Sequence, residues 1–495
     1  MSRDRHDRVE ALRRAARDRL PVDAALAAWR RYYPLGVGLL VLGGVLAMGR
    51  PFVRRHGLDA PLPHTDTVIL EYVGWFVARG NTLYVDIWEI KPPLAFLPSY
   101  LFAALTGGNL YAVHLLGVAT TALALALTAA FAARAVGTVT DAPLAGVAVG
   151  VAVFALPDLF YRPWMGYKAK MVVFALGLAG VERALRDRWG ASGLLSGLAV
   201  GVWQLGVLFP LVTTGDALRT RSPAVLRRHL AGGGAALAAI LLAVLLYADP
   251  EGFLAQVVLG PLVLASEGGA FDPRTYMLFF PGDTGYWFTV LGAGGLGLAF
   301  VRDEYAAARP LAVGGLLMGL VVVFVDFDGL WDVVGPLVFC AVGVGLVVGA
   351  LPRRVRLAAV VALGLTLAPA FAPSALARHD PVDPKPTDRL PPATASERER
   401  LYWSGQPVAS CRFFGGRTQR SLLEYYPDAD LLSEAPCGDV EPYWRALRER
   451  IAGGSAPPNA TATPAQVVAL GGRPPTAVRR ATGSYPPSSA GRGTK

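Results

Sequence analysis

Apolar runs of membrane-spanning length recur along the first three-quarters of this 495-residue chain, and they leave it few folds to choose from. Crossing about 30 Å of hydrocarbon takes roughly 20 apolar residues in a helix. Backbone in lipid must satisfy its own hydrogen bonds, which favours helices. Composition agrees. The chain is 53% hydrophobic and 17% charged, against about 25% charged in a soluble domain. An all-α polytopic membrane protein is expected.

The predicted spans are Tyr33–Met48, Leu110–Ala133, Ala142–Leu156, Met171–Ala184, Gly232–Tyr247, Tyr286–Val301, Leu311–Val325, Leu330–Gly349 and Leu357–Phe371. Residues 194–218 are interrupted by Gly201, Gly206 and Pro210 and read as two half-length helices. Leu94–Leu105 is too short to span and suits an interfacial or re-entrant helix. Residues 1–32 carry nine Arg against five acids. They read as a cytoplasmic basic lead to a retained signal anchor, since no small-residue cleavage site follows the first run. Loops rich in arginine (183–190, 219–228, 302–309, 353–356) belong inside. That alternation gives about eleven crossings, with 50–107, 157–169, 249–284 and 326–329 outside.

The transmembrane unit is then 33–372, and 373–495 forms an extracytoplasmic tail. The tail comprises a Pro-rich linker, a small compact segment at 396–450 and a Gly/Pro/Ser/Thr-rich end expected to be disordered. Cys411 and Cys437 lie in it without zinc spacing, and a disulfide between them requires an oxidising compartment. Asn459 opens an N-glycosylation sequon. The net charge of +10 resides largely in short loops, where it sets topology, so nucleic acid is not an expected partner.

Ionisable residues beside lipid are costly and point to function. The first outside loop gathers Asp66, Glu71, Asp86, Glu89 and Lys91, the last leading into Pro92-Pro93. A carboxylate there could deprotonate an alcohol, bind sugar hydroxyls or hold a metal. Taken singly, these acids read better as a helix cap (Asp66) and a solvated loop; the set, with Lys91-Pro92-Pro93 locking the chain, reads as functional. The second outside loop holds Asp158, Arg162, Tyr167, Lys168 and Lys170. Only five lysines occur in the chain, and three of them fall in these two loops. Positive charge outside opposes the usual bias, and a phosphate at headgroup depth would account for it, as would snorkelling between interfacial aromatics. An acidic turn at Asp326, Asp328 and Asp332 reads better as a polar turn, and the long loop Asp249–Asp283 suggests substrate gating. No Walker A, dinucleotide fingerprint or zinc spacing occurs, so an activated donor would have to come from the membrane.

The pattern Asp66-x4-Glu71-Tyr72, Gly80-x3-Tyr84-x-Asp86-x-Trp88-x2-Lys91-Pro92-Pro93-Leu94 resembles the GT-C superfamily of glycosyltransferases that use lipid-phosphate sugars. Within it the chain is most like archaeal dolichyl-phosphate-mannose mannosyltransferases. The resemblance covers roughly residues 33–372 and is most specific at 66–94. It implies a multi-pass cell-membrane enzyme whose active site is extracytoplasmic. Such an enzyme would move a hexose, mannose by resemblance, from a dolichyl or polyprenyl phosphate to a glycan or glycoprotein acceptor, in surface-glycoprotein N-glycosylation. It implies Asp66 as base and Lys91 as a donor-phosphate ligand, with Arg162, Lys168 and Lys170 adding phosphate contacts. Glu71, Asp86, Glu89, Asp158 and Tyr167 would then support substrate binding. Members often carry a second acid after the first, where this chain has Thr67, and an acid in the second loop, where it has Lys168 and Lys170. Metal-independent, inverting transfer with no cofactor is therefore expected, a divalent metal being the alternative. A polytopic transporter, or a lipid-modifying transferase with another sugar, is the competing function.

Overall fold

The computed structural model describes residues 22–56, 66–85, 89–259, 261, 280, 283–324 and 334–371. The basic lead before Val22, Asp86, most of the 249–283 loop, the acidic turn at 326–332 and everything after Phe371 lie outside the described residues. So do Cys411, Cys437 and Asn459. Every described element is helical, and the one β contact among them is a single bridge between Leu83 and Ala248.

The helices run in chain order as α1 (Val22–His56), α2 (Asp66–Ala78), α3 (Leu97–Leu105), α4 (Leu110–Thr140), α5 (Pro143–Ala152) and α6 (Pro157–Tyr161). There follow α7 (Ala169–Ala184), α8 (Trp189–Val202), α9 (Leu208–Arg219) and α10 (Pro223–Tyr247). After a one-turn α11 (Pro250–Phe253) come α12 (Thr284–Val301), α13 (Arg309–Phe324), α14 (Val334–Ala350) and α15 (Arg353–Leu367). Within these, Ala27–Val53, Tyr111–Thr140, Pro223–Tyr247, Thr284–Val301 and Asp303–Phe324 are each long and apolar enough to cross a bilayer. Pro143–Ala155 and Pro157–Met165, bent by 86°, would together make a sixth. The helices Trp189–Val202 and Val334–Ala350 are apolar but shorter. Residues 194–218 do divide, at Trp203, into α8 and α9 with a short 3-10 turn between them.

The outer surface of the bundle is apolar. Leu245, Leu246, Val301 and Leu365 are each 70% exposed or more, a surface that suits hydrocarbon and not water. Inside, helices approach closely through glycine. A Cβ at Gly343 of α14 would overlap the backbone of Gly292 on α12, and one at Gly295 would overlap Gly343. Lipid supplies no hydrophobic drive between helices, so such close contact is what holds them.

Two charged layers bracket this core. At one, Glu182 is fully buried and contacts Arg134 Nε at 3.0 Å, Arg186 Nη1 at 3.3 Å and Arg183 Nε at 3.5 Å. The other contains His114, near the start of α4. Twenty positions of α4 separate His114 from Arg134, about 30 Å of helix. That is the thickness of a bilayer's hydrocarbon.

Substituting Gly343→Leu should drive α12 and α14 apart and destabilise the bundle by about 1–3 kcal/mol. A lowered melting midpoint in detergent would show it, with Gly294→Leu, at an open position, as the tolerated control.

Candidate active site

The layer opposite the arginines is built around two buried carboxylates. Glu71 lies on α2, whose apolar residues Leu70, Tyr72, Val73, Trp75 and Phe76 bury it against the bundle. One oxygen of Glu71 accepts from the Tyr167 amide at 2.7 Å; the other contacts His114 Nδ1 at 3.0 Å. The second loop is thereby tied to α2 and α4 together. Thr121 of α4 adds two more bonds, donating to the Gly166 carbonyl at 2.9 Å and accepting from the Lys168 amide at 2.8 Å. Gly166 has φ +111°, and a Cβ there would overlap the Glu71 carboxylate, so only glycine serves.

Glu89 is the second carboxylate, also fully buried. Its Oε1 accepts from Lys91 Nζ at 3.0 Å, the Ile90 amide at 2.9 Å and the Lys91 amide at 3.3 Å. The Glu89 amide donates to Gln256 Oε1 at 2.9 Å, and Gln256 Nε2 donates to the Tyr84 carbonyl at 2.7 Å. Gln256 sits in the π-helical turn Leu254–Leu259, a distortion frequent at functional sites. Tyr84, itself at φ +71°, donates its hydroxyl to the Lys91 carbonyl at 2.8 Å. Burial first, then Tyr247 and Glu89, push the Tyr84 phenol well above its ordinary range, so it stays a donor. Gln204 donates to the Ile90 carbonyl and Tyr247 to the Pro93 carbonyl, the latter at 2.7 Å. The chain on either side of Lys91 is thus held from four separate segments.

Lys91, 8% exposed, also lies over the Trp203 ring, 5.2 Å from its centroid. Lys170, at the start of α7, lies 4.9 Å from the same centroid. The two ammonium groups are therefore no more than about 10 Å apart. Asp158 pairs with Arg162 at 3.2 Å within the short helical stretch 157–165. That stretch packs on α1, with Trp164 donating to the Val45 carbonyl at 2.7 Å and Phe160 lying against Gly44. Tyr167 is fully buried and its hydroxyl lacks a partner among the described residues; burial raises its pKa as it does that of Tyr84.

The structure therefore brings Glu89, Lys91 and Lys170 together and sets Glu71 and Tyr167 beside the second loop. It places Asp158 and Arg162 on the α1 side of that loop. Asp66 is the first residue of α2, and the described side chains of this helix begin at Leu70. His114, Thr121, Trp203, Gln204, Tyr247 and Gln256 were not singled out in the sequence. Their signal was a polar or amphipathic group interrupting an apolar run. Among the described residues no three His, Cys, Asp or Glu converge as a metal-ligand set.

A helical bundle with an apolar exterior and buried ion pairs at one end defines an integral membrane protein with a built polar site. Residues 80–244, about a third of the chain, match a family described as DolP-mannose mannosyltransferase. A dolichol phosphate-mannose mannosyltransferase of Haloferax volcanii is 26% identical over 292 residues, covering 58% of this chain. The matched region spans 62% of that relative's length. The solved structure of ArnT from Cupriavidus metallidurans bound to undecaprenyl phosphate is 16% identical, with a TM-score of 0.49 over 88% of this chain and 78% of that one. Its apo form gives 17% and 0.45 over 81% and 73%. The family resemblance is thus met by a family model, which covers the motif from residue 80 onward, and by a curated relative that agrees with it.

Replacing Glu71 with Ala should leave the Tyr167 amide and His114 without their buried partner, costing about 3 kcal/mol, while Glu71→Gln should cost less. Thermal denaturation of the purified protein separates the two. Equal, small losses would mean that the second loop is held by something else.

Proposed function

We propose that this chain is a membrane glycosyltransferase that moves a hexose, mannose by similarity, from a dolichyl or other polyprenyl phosphate to a glycan acceptor. The observation that carries the reading is the convergence of Lys91 and Lys170 on Trp203 beside buried Glu89, within the region that matches the mannosyltransferase family. Two lysine ammoniums at the end of an apolar bundle fit a phosphate at headgroup depth. The donor would arrive within the bilayer, consistent with the apolar exterior.

In the reaction proposed, the acceptor hydroxyl gives its proton to the Asp66 carboxylate as its oxygen bonds to the anomeric carbon. The bond from that carbon to the phosphate oxygen breaks, and the lipid phosphate leaves with the electron pair. One displacement inverts the centre. Lys91 and Lys170, with Arg162 and Lys168 contributing to the field, stabilise charge gathering on the leaving phosphate. Fixed positive groups in a site of low dielectric are the largest source of rate in such a step. Glu71 and Asp158 act by holding the second loop and Arg162, and Glu89 by aiming Lys91. The base is Asp66, the first residue of α2.

The layer holding Glu182 and its arginines takes the cytoplasmic side by the positive-inside tendency. The lysine site and the tail from 373 then face outward, with about eleven crossings and an acceptor in surface-glycoprotein N-glycosylation.

Membranes carrying the wild-type chain should transfer label from polyprenyl-phosphate mannose, and Asp66→Asn should lower the rate about 10²–10⁴-fold. Chelation with EDTA should leave the rate unchanged. Undiminished transfer by the Asn variant would remove Asp66 as base; no transfer by the wild type would remove the enzyme reading.

A further inference from the structure

Trp203 stands where the split helix breaks. Its backbone is extended, with φ −159° and ψ 142°, between the end of α8 and the 3-10 turn Gln204–Val207. Non-helical backbone inside a membrane bundle persists where it is buried or lines a functional cavity. Here the freed groups are still bonded. The Trp203 amide donates to the Ala199 carbonyl at 3.1 Å, and the Trp203 carbonyl accepts from Gly206 at 2.8 Å. The break costs few hydrogen bonds and turns one indole toward two cations.

We propose that Trp203 is a positioning residue for the donor phosphate, its ring gathering Lys91 and Lys170 into a single anion site. The proposal rests on the reading of these lysines as phosphate ligands and adds the element that brings them together. Lys91 comes from the first loop and Lys170 from the start of α7, with nothing in the local sequence to set their separation. Trp203 lies within reach of both, at 5.2 and 4.9 Å from ring centroid to ammonium. Both distances fall inside the roughly 6 Å over which a ring face attracts a cation, and indole is the strongest such face. Two ammoniums within about 10 Å of each other repel, and an anion bound near both offsets that repulsion. The adjacent Gln204 donates to the Ile90 carbonyl, so the same turn that carries the indole also fixes the chain next to Lys91. Glu89 then restrains the Lys91 ammonium at 3.0 Å.

The test measures binding of sugar-free polyprenyl monophosphate to the full chain in nanodiscs. Wild type should bind, Trp203→Phe should stay within about threefold of it, and Trp203→Leu should weaken binding about tenfold or more. Trp203→Met, unbranched and able to fill irregular gaps without a π face, takes the place of the Leu variant should that variant fold poorly. In a Lys170→Gln background the Leu substitution should cost less, because one of its two clients is gone. In turnover, the loss should fall on the donor KM more than on kcat. Equal affinity of wild type and the Leu or Met variant overturns the proposal, as does an equal loss in Phe and Leu, which would assign the effect to bulk and not to the ring face. Absence of binding by the wild type overturns the phosphate reading itself, and the two failures are therefore distinguishable.

Discussion

The Glu71 carboxylate accepts from the Tyr167 amide and contacts the His114 ring, and it has no exposure to solvent. A charge so placed is tolerable only when nearly every lone pair is used. That requirement dictates the local architecture. His114 must come from α4, the amide from the second loop, and Gly166 must lack a side chain so that the loop can close on the carboxylate. Thr121, seven positions after His114 and therefore on the same face of α4, bonds the loop on both sides of Tyr167. Lys168 and Lys170 follow immediately. The lysines of the second loop are placed by a buried acid that need not touch a substrate.

Lys91 depends on a similar device with different parts. Its partner Glu89 is two residues away, too near to fix anything by itself. The fixing comes from Gln256, Gln204, Tyr84 and Tyr247, each bonded to backbone between Tyr84 and Pro93. Side chains bonding backbone atoms in this way hold a non-helical segment in an apolar setting without a sheet or helix to satisfy it. The single bridge between Leu83 and Ala248 starts the same process at the end of α10. Glu89 uses only one oxygen for donors, leaving Oε2 without a partner among the described residues. The ion pair is therefore less fully satisfied than the Glu71 cluster.

Much of this was legible in the sequence where the cause is local. The apolar runs became helices, and the glycines and proline near Trp203 divided 194–218 into α8 and α9. Boundaries drifted where polar residues continue a helix: α4 runs past Ala133 to Thr140, its Thr138 and Thr140 hydroxyls bonding the carbonyls of Arg134 and Val136 one turn back. Lys91 and Lys170 were named from their rarity and their side of the membrane, and they do meet at one ring. What could not be read was partnership across distance. Glu71 meets a residue 96 positions away and Glu89 one 167 away, and no spacing rule reaches so far. Glu71 was grouped with substrate ligands from its loop alone, and its contacts with the Tyr167 amide and His114 could not be read there. Histidine, glutamine and tryptophan inside apolar runs were the available clues.

Three buried acids, Glu71, Glu89 and Glu182, show how one residue type divides its work by the number of cations around it. Glu182 faces three guanidiniums that are each about one-third exposed or less, so the cluster keeps excess positive charge at its own face. Each of those arginines is partly hydrated, and removing one would leave the others to compensate. Glu71 faces a single ring and an amide and carries no excess. Glu89 faces one lysine, and Lys170 at the same indole brings a second positive charge with it. Excess charge thus collects at both ends of the bundle, though by different means: partly exposed arginines around one buried acid at one, and lysines gathered at Trp203 beside a buried acid at the other. Immobilised charge is what a site needs if it is to stabilise a leaving phosphate without first reorganising, since the ordering was done when the protein folded. The geometry around Lys91 and Trp203 therefore makes sense as preorganisation, and an arginine-type layer in its place would have served topology alone.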